Sequence, residues 1–149
     1  MLLAGRLIEN IPARFTCTAS TYAYKKQSCQ NLYDGNLGTG WWTNIGESKD
    51  AWIRIDFDRK LFLSDVKIMH PPNQGWFKTI LLSFSNGKSQ VANLTWNQQY
   101  ISNTWTEMKL SPPASTTFIK ITGTDVQKPE NIKTWHYGLY EIRINGSSI

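Results

Sequence analysis

The chain has 149 residues, a formal net charge of +5, 40% hydrophobic and 18% charged residues. That length suits one domain with a real core, burying roughly two-thirds of its unfolded surface, and the composition excludes disorder. No apolar run approaches the ~20 residues of a membrane-spanning helix. The positive balance favours anionic ligands, such as acidic glycans or phospholipid head groups. No run of Lys or Arg exceeds two residues. No helix-turn-helix, zinc-finger or RNA-binding signature occurs, so nucleic acid is not an expected partner.

In chain order, "MLLAGRLIEN" has an apolar stretch too short for a signal peptide, so a secreted protein would have lost its signal or be a piece of something longer. Residues 1–12 are expected to be an extension or edge strand of a single domain over 1–149. Cys17 and Cys29 follow. The two histidines, His70 and His136, lie far from them in sequence, so a Cys/His metal site is not indicated. Two readings stay open: a Cys17–Cys29 disulfide, contributing about 3 kcal/mol by the chain-entropy estimate, or two separate buried thiols. The sequons at Asn93 and Asn145 point weakly to the secretory route. A short helix fits 29–33 and nothing longer.

The stretch "NLYDGNLGTGWW" (31–42) sets Asp34, Asn36 and Thr39 among three glycines, directly ahead of Trp41 and Trp42. Oxygen donors at that spacing, with glycines that let carbonyls turn inward, suit a hard cation such as calcium. They equally suit an ordinary Asx turn closed by Asp34. The acids are too few and wrongly spaced for an EF-hand.

From there the chain reads as β. "WIRIDF" (52–57) alternates, with Ile53, Ile55 and Phe57 on one face. The polar triplet Asp58-Arg59-Lys60 predicts a turn, and "VKIMH" (66–70) a further strand. "TILLSF" puts Ile80, Leu82 and Phe84 on one face and leads into Asn86-Gly87, which predicts a type I′ hairpin. "SPPAS" (111–115) predicts a loop, because Pro cannot donate to a central ladder. "TFIKIT" and "LYEIRI" supply two more strands, separated by an irregular stretch over 125–138. Short strands with turns between them mean a sandwich or barrel. No Gly-x-Ser-x-Gly elbow occurs, and only 11 acids are present, so an enzyme is not expected.

The ordered set "LYDGNLGTGWW", "AWIRIDF", "VKI", "FSNG", "FIKITG", "GLYEIRING" resembles the discoidin family, the coagulation-factor C-type and galactose-binding-like domains, over nearly the whole chain. The resemblance implies an all-β sandwich of jelly-roll type with about eight core strands. It also implies a structural calcium held by Asn31, Asp34, Asn36, Thr39, Tyr140 and Glu141, with one of Trp41 and Trp42 in the core and the other on the rim. The alternative for Glu141 is a cross-strand Lys or Arg partner.

Family ligands bind at loops on one end of the sandwich, which here are 21–28, 44–50, 70–78 and 127–137. The mixture of ring faces and polar donors in them suits a sugar. The candidate ligand-binding residues are His70, Asn73, Trp76, Lys78, Trp135, His136 and Tyr137, with Trp76 and Trp135 foremost. The third loop, "HPPNQGWFK", lacks the Arg and Cys of the fucose-binding lectins. The first, "TYAYKKQS", lacks a large apolar spike for a membrane. The expectation is therefore a non-catalytic module for a glycan or glycoprotein, extracellular or at the cell surface. A protein-interaction or adhesion role is the alternative, and an anionic phospholipid membrane is the weaker one.

Overall fold

The computed structural model describes residues 14–22, 29–33, 39–44, 47, 49–69, 76–94, 105–127 and 137–148. Among them are eight strands: β1 (Phe15–Ala19), β2 (Trp41–Trp42), β3 (Trp52–Met69), β4 (Trp76–Phe84), β5 (Ser89–Asn93), β6 (Trp105–Gln127), β7 (Gly138–Leu139) and β8 (Glu141–Ser148). The only helix among the described residues is one 3-10 turn, Cys29–Tyr33, which buries Cys29 and Leu32.

Two long antiparallel strands, β3 and β6, carry the architecture. The first half of β3 lies between β1 and the end of β6; β6 continues to β4, and β4 to β5. The second half of β3 lies between β8 and the start of β6. Both strands are irregular where the halves meet, with register shifts between Asp56 and Leu61 and between Leu63 and Asp65. The paired ribbon folds over there, as bulges allow. A β1–β3–β6–β4–β5 layer thus faces a β8–β3–β6 layer in a β-sandwich.

One core lies between the layers. Ile53, Ile55, Ile80, Leu82, Ile119 and Ile121 come from the first, and Leu61, Leu63, Val66, Ile68, Ile142 and Ile144 from the second. Each aliphatic side chain buried in this way contributes about 2 kcal/mol of transfer free energy. The alternation of "WIRIDF" holds: Ile53, Ile55 and Phe57 are buried while Trp52, Arg54 and Asp56 are half-exposed. On the outer face the Arg54 guanidinium lies 3.8 Å from the centre of the Phe118 ring and pairs with Asp56.

Three local expectations are corrected. Asp58-Arg59-Lys60 does not break the chain into two strands; β3 runs through it, the three side chains exposed at the fold-over. "SPPAS" is not a loop outside the sheet but a bulge inside β6. Two steps on β3, Leu63 to Asp65, oppose five on β6, Ala114 to Lys109, so the prolines occupy positions that need no ladder donor. Gln90 of β5 holds the start of this bulge: its Nε2 donates to the Lys109 carbonyl at 2.9 Å, and its Oε1 accepts from the Ser111 amide at 3.2 Å. Lastly, the Asn86-Gly87 hairpin is not type I′. Only Gly87 has a positive φ, 81°. Its amide donates to the Phe84 carbonyl at 3.2 Å, and the Phe84 amide to the Lys88 carbonyl at 3.1 Å. That is a type I turn closed by a left-handed glycine, the usual three-residue alternative. Asn86 Oδ1 takes the Lys88 amide at 2.9 Å instead of occupying the left-handed region.

Candidate functional site

The two ends of β3, Trp52 and Met69, are brought to one end of the sandwich through the β2–β7 pair. The Ser20 amide donates to the Trp52 carbonyl at 2.9 Å, and the Tyr140 amide to that of Met69 at 3.0 Å. Between them, Trp41 registers with Leu139 and Trp42 with Gly138. The bases of all four loops meet here.

Their floor is aromatic. Trp41 is buried and stacks on Phe77 with ring centres 5.7 Å apart; Phe77 in turn packs against Tyr137 at 6.4 Å. Polar contacts tie the floor to the loops. Trp41 Nε1 donates to the Thr21 carbonyl at 2.7 Å. Thr21 Oγ1 accepts from the Asn44 amide at 3.3 Å and donates to Glu47 Oε2 at 2.7 Å. The Thr43 amide donates to the Tyr137 carbonyl at 2.8 Å, while the Tyr137 amide donates to Thr43 Oγ1 at 3.2 Å. Asp50, with φ 62°, turns the second loop back so that its amide reaches the Gly123 carbonyl at 2.8 Å. Asp tolerates that left-handed conformation better than most residues. Above this floor Tyr22 is half-exposed, and Glu47 and Lys78 are exposed.

The sequence-predicted ligand residues divide. His70, Asn73, Trp135 and His136 lie outside the described residues. Trp76 opens β4, its backbone opposite Gln127, so the bases of the third and fourth loops are adjacent. Lys78 is exposed next to it, and its carbonyl accepts from the Leu94 amide at 2.8 Å. Tyr137 is placed in the floor at 8% exposure, and burial raises its phenol above the ordinary value of 10.0. Its side chain therefore supports the loops from beneath.

Phe77, Thr21, Thr43 and Glu47 were not singled out from sequence. Phe77 is hidden by a bulge: register shifts on both sides of Thr79 put Phe77 and Ile80 on the same face, which breaks the alternation that exposes Ile80, Leu82 and Phe84 as core. The polar members make long-range contacts that no local pattern carries.

The predicted cation donors are partly described. Asp34 and Asn36 lie outside the described residues. Asn31 Nδ2 donates to the Gly40 carbonyl at 3.0 Å, closing the two ends of that loop on each other. A Cβ at Gly40 would come within 2.6 Å of the Leu139 carbonyl oxygen and 3.2 Å of Tyr140 Cα. The loop exit, which includes Thr39, therefore rests on the start of the last strand. Tyr140 is half-buried, with its ring edge-on to Trp42 at 5.7 Å. Glu141 is completely buried, and its Oε2 accepts from Arg143 Nη1 two residues along the same strand. The donor types, a carboxylate with backbone carbonyls and a Thr hydroxyl, are those a hard cation takes. Of the four described donors, Asn31 is tied to Gly40, Thr39 precedes that glycine, Tyr140 packs against it, and Glu141 follows Tyr140 in the chain. Cys17 and Cys29 form a disulfide that fastens the 3-10 turn at the root of this loop to β1.

The family model for the F5/8 type C domain matches residues 16–140. Among curated proteins, none matches the sequence. A family 32 carbohydrate-binding module of C. perfringens NanJ, solved with galactose, superposes with a TM-score of 0.67 at 18% identity, over 87% of this chain and 92% of that one. The chitosan-binding module 1 of a chitosanase/glucanase from Paenibacillus sp. IK-5 gives 0.58 at 17% identity, over 87% and 92%. Discoidin II of Dictyostelium discoideum gives 0.67 at 13% identity, over 91% of this chain and 56% of that one. At these identities the structures establish the shared sandwich. The family match spans most of the chain, which therefore belongs to the F5/8 type C domain family.

Proposed function

We propose that this chain is a non-catalytic glycan-binding module, working outside the cell or at its surface, that takes its ligand at the loop end of the sandwich. The observation that carries the reading is the Trp41–Phe77–Tyr137 floor, with four loop bases fastened to it. A rigid floor lets loop side chains hold a weak ligand at small entropic cost. The galactose- and chitosan-binding functions named for two structural neighbours support the ligand class.

In this reading Trp76 and Trp135 cover the apolar face of a sugar. His70, Asn73, Lys78 and His136 hydrogen-bond its hydroxyls, and Tyr137 supports them from below. Calcium, bound by Asn31, Asp34, Asn36, Thr39, Tyr140 and Glu141, pins the 31–42 loop to the last strand. It supplies structure and no reaction step. The disulfide agrees with an oxidising compartment.

A protein partner is the second reading, favoured by the open outer face of β3–β6–β4–β5. Trp52, Thr122, Leu81 and Val91 form one row across it, and Val91 is 63% exposed. A glycan array with the folded domain in calcium buffer separates the two. Saturable binding to one glycan class, lost by about thirtyfold in Trp76→Ala or Trp135→Ala, supports the glycan reading. A blank array, or binding that survives both substitutions, sinks the site.

A further inference from the structure

A completely buried carboxylate keeps its charge only if a cation or several donors meet it. For Glu141 the structure supplies a cation from its own strand. Arg143 Nη1 donates to Glu141 Oε2 and, at 3.1 Å, to the Ile142 carbonyl. The same guanidinium lies 5.6 Å from the centre of the Trp105 ring, and its side chain is 19% exposed. The register explains the grouping. Met69 sits between Glu141 on β8 and Trp105 on β6; one row further, Lys67 sits between Arg143 and Glu107. Two carboxylates and two cations thus share adjacent rows of the β8–β3–β6 face, already balanced in charge.

We infer that Arg143 is a built-in rival to the divalent cation at Glu141: it neutralises the buried carboxylate when metal is absent and sets how tightly metal binds. The inference rests on the calcium reading above. A doubly charged ion within reach of Glu141 would meet the guanidinium at close range, with Lys67 behind it. An ion bound at Glu141 Oε2 would share that oxygen with Arg143 or take its place, and in either case it meets the positive charge of the guanidinium. Where Arg143 gives way, the Trp105 ring offers the displaced guanidinium a resting place, since a cation over an indole face keeps part of its stabilisation. The consequence is a domain whose last strand is held in place without calcium and whose calcium affinity is held down by its own arginine.

The test compares the full chain with its Arg143→Met and Arg143→Lys variants. Calcium binding is measured by titration calorimetry after stripping with EGTA, and melting temperature is measured in EGTA and in calcium. Wild type is expected to melt cooperatively in EGTA and to rise only slightly with calcium. Arg143→Met should melt lower in EGTA, bind calcium about tenfold more tightly and gain more from it, as loss of a competing charge requires. Arg143→Lys, which keeps the charge but loses the planar fork, should fall between. Folding of Arg143→Met in calcium but not in EGTA would also support the inference. Equal calcium affinity in all three proteins overturns it and leaves the calcium reading intact. No calcium uptake by any of them overturns both.

Discussion

At the scale of single residues, two glycines show how differently the same residue type is used. A Cβ at Gly87 would meet nothing within 4 Å, but the φ of 81° is one that L-residues resist. Gly87→Ala is expected to cost about 1 kcal/mol in urea denaturation and to leave ligand binding unchanged. Gly123 is the reverse. A Cβ there would fall 2.0 Å from Phe77 Cδ1, so Gly123→Ala must push the ring out of the floor. Overpacking of this kind costs about 1–3 kcal/mol. Because Phe77 stacks on Trp41, glycan affinity should drop with it, and titration of both variants against the array-identified sugar checks the contrast. Gly87 was legible in the sequence from its place after Asn86. Gly123 was not, since its demand comes from a ring on another strand, placed there by the bulge at Thr79.

At the scale of elements, the strands whose side chains alternate strictly between core and solvent were readable. "WIRIDF" and "TILLSF" lie where their periodicity puts them. What periodicity could not show is a strand that continues through residues chosen against strands. Asp58-Arg59-Lys60 and "SPPAS" both look like interruptions. Both lie where the β3–β6 ribbon folds over, and there exposed charges and prolines are tolerated because the ladder is locally broken. Gln90 matters in this context, as it supplies partners to the backbone just ahead of the two prolines. Gln90→Ala is expected to lower stability by about 0.5–1 kcal/mol, since water replaces most of what an exposed hydrogen bond gives. Faster amide exchange at Ser111 would be the local sign, and unaltered exchange there would rule out the staple. The candidate site was legible only as loops and residue types. Its floor depends on contacts such as Thr21 with Glu47 and Thr43 with Tyr137, whose partners are far apart in sequence.

At the scale of the whole molecule, stability should depend on redox state and on alkaline pH. Reducing Cys17–Cys29 releases a loop whose ends are 12 residues apart and should cost about 3 kcal/mol. Thermal melts with and without reductant would show it, and coincident melts would mean that the core alone holds the 3-10 turn. Tyr33, Tyr137 and Tyr140 all have phenols raised above 10.0 by burial. The unfolded chain therefore loses these protons first as pH rises. Their contribution is fully present below pH 10 and is lost as pH climbs through the raised folded values. Unfolding free energies followed by urea titration should be insensitive to these groups near pH 8 and should decline above pH 10.

The fold-over of β3 also decides how the domain can be mounted. Phe15 pairs with Phe57 and Ser148 with Leu61, so the entering and departing strands reach the same corner of the sheet, four residues apart along β3. The loop bases gather at Trp52 and Met69, away from that corner. A sandwich built this way can be spliced into a longer chain at one corner with little disturbance to its surroundings, and its loop bases then lie away from the tether. Several such units on one scaffold would hold their loop ends away from it together, and on the glycan-binding reading proposed above weak individual grips would add up to firm attachment.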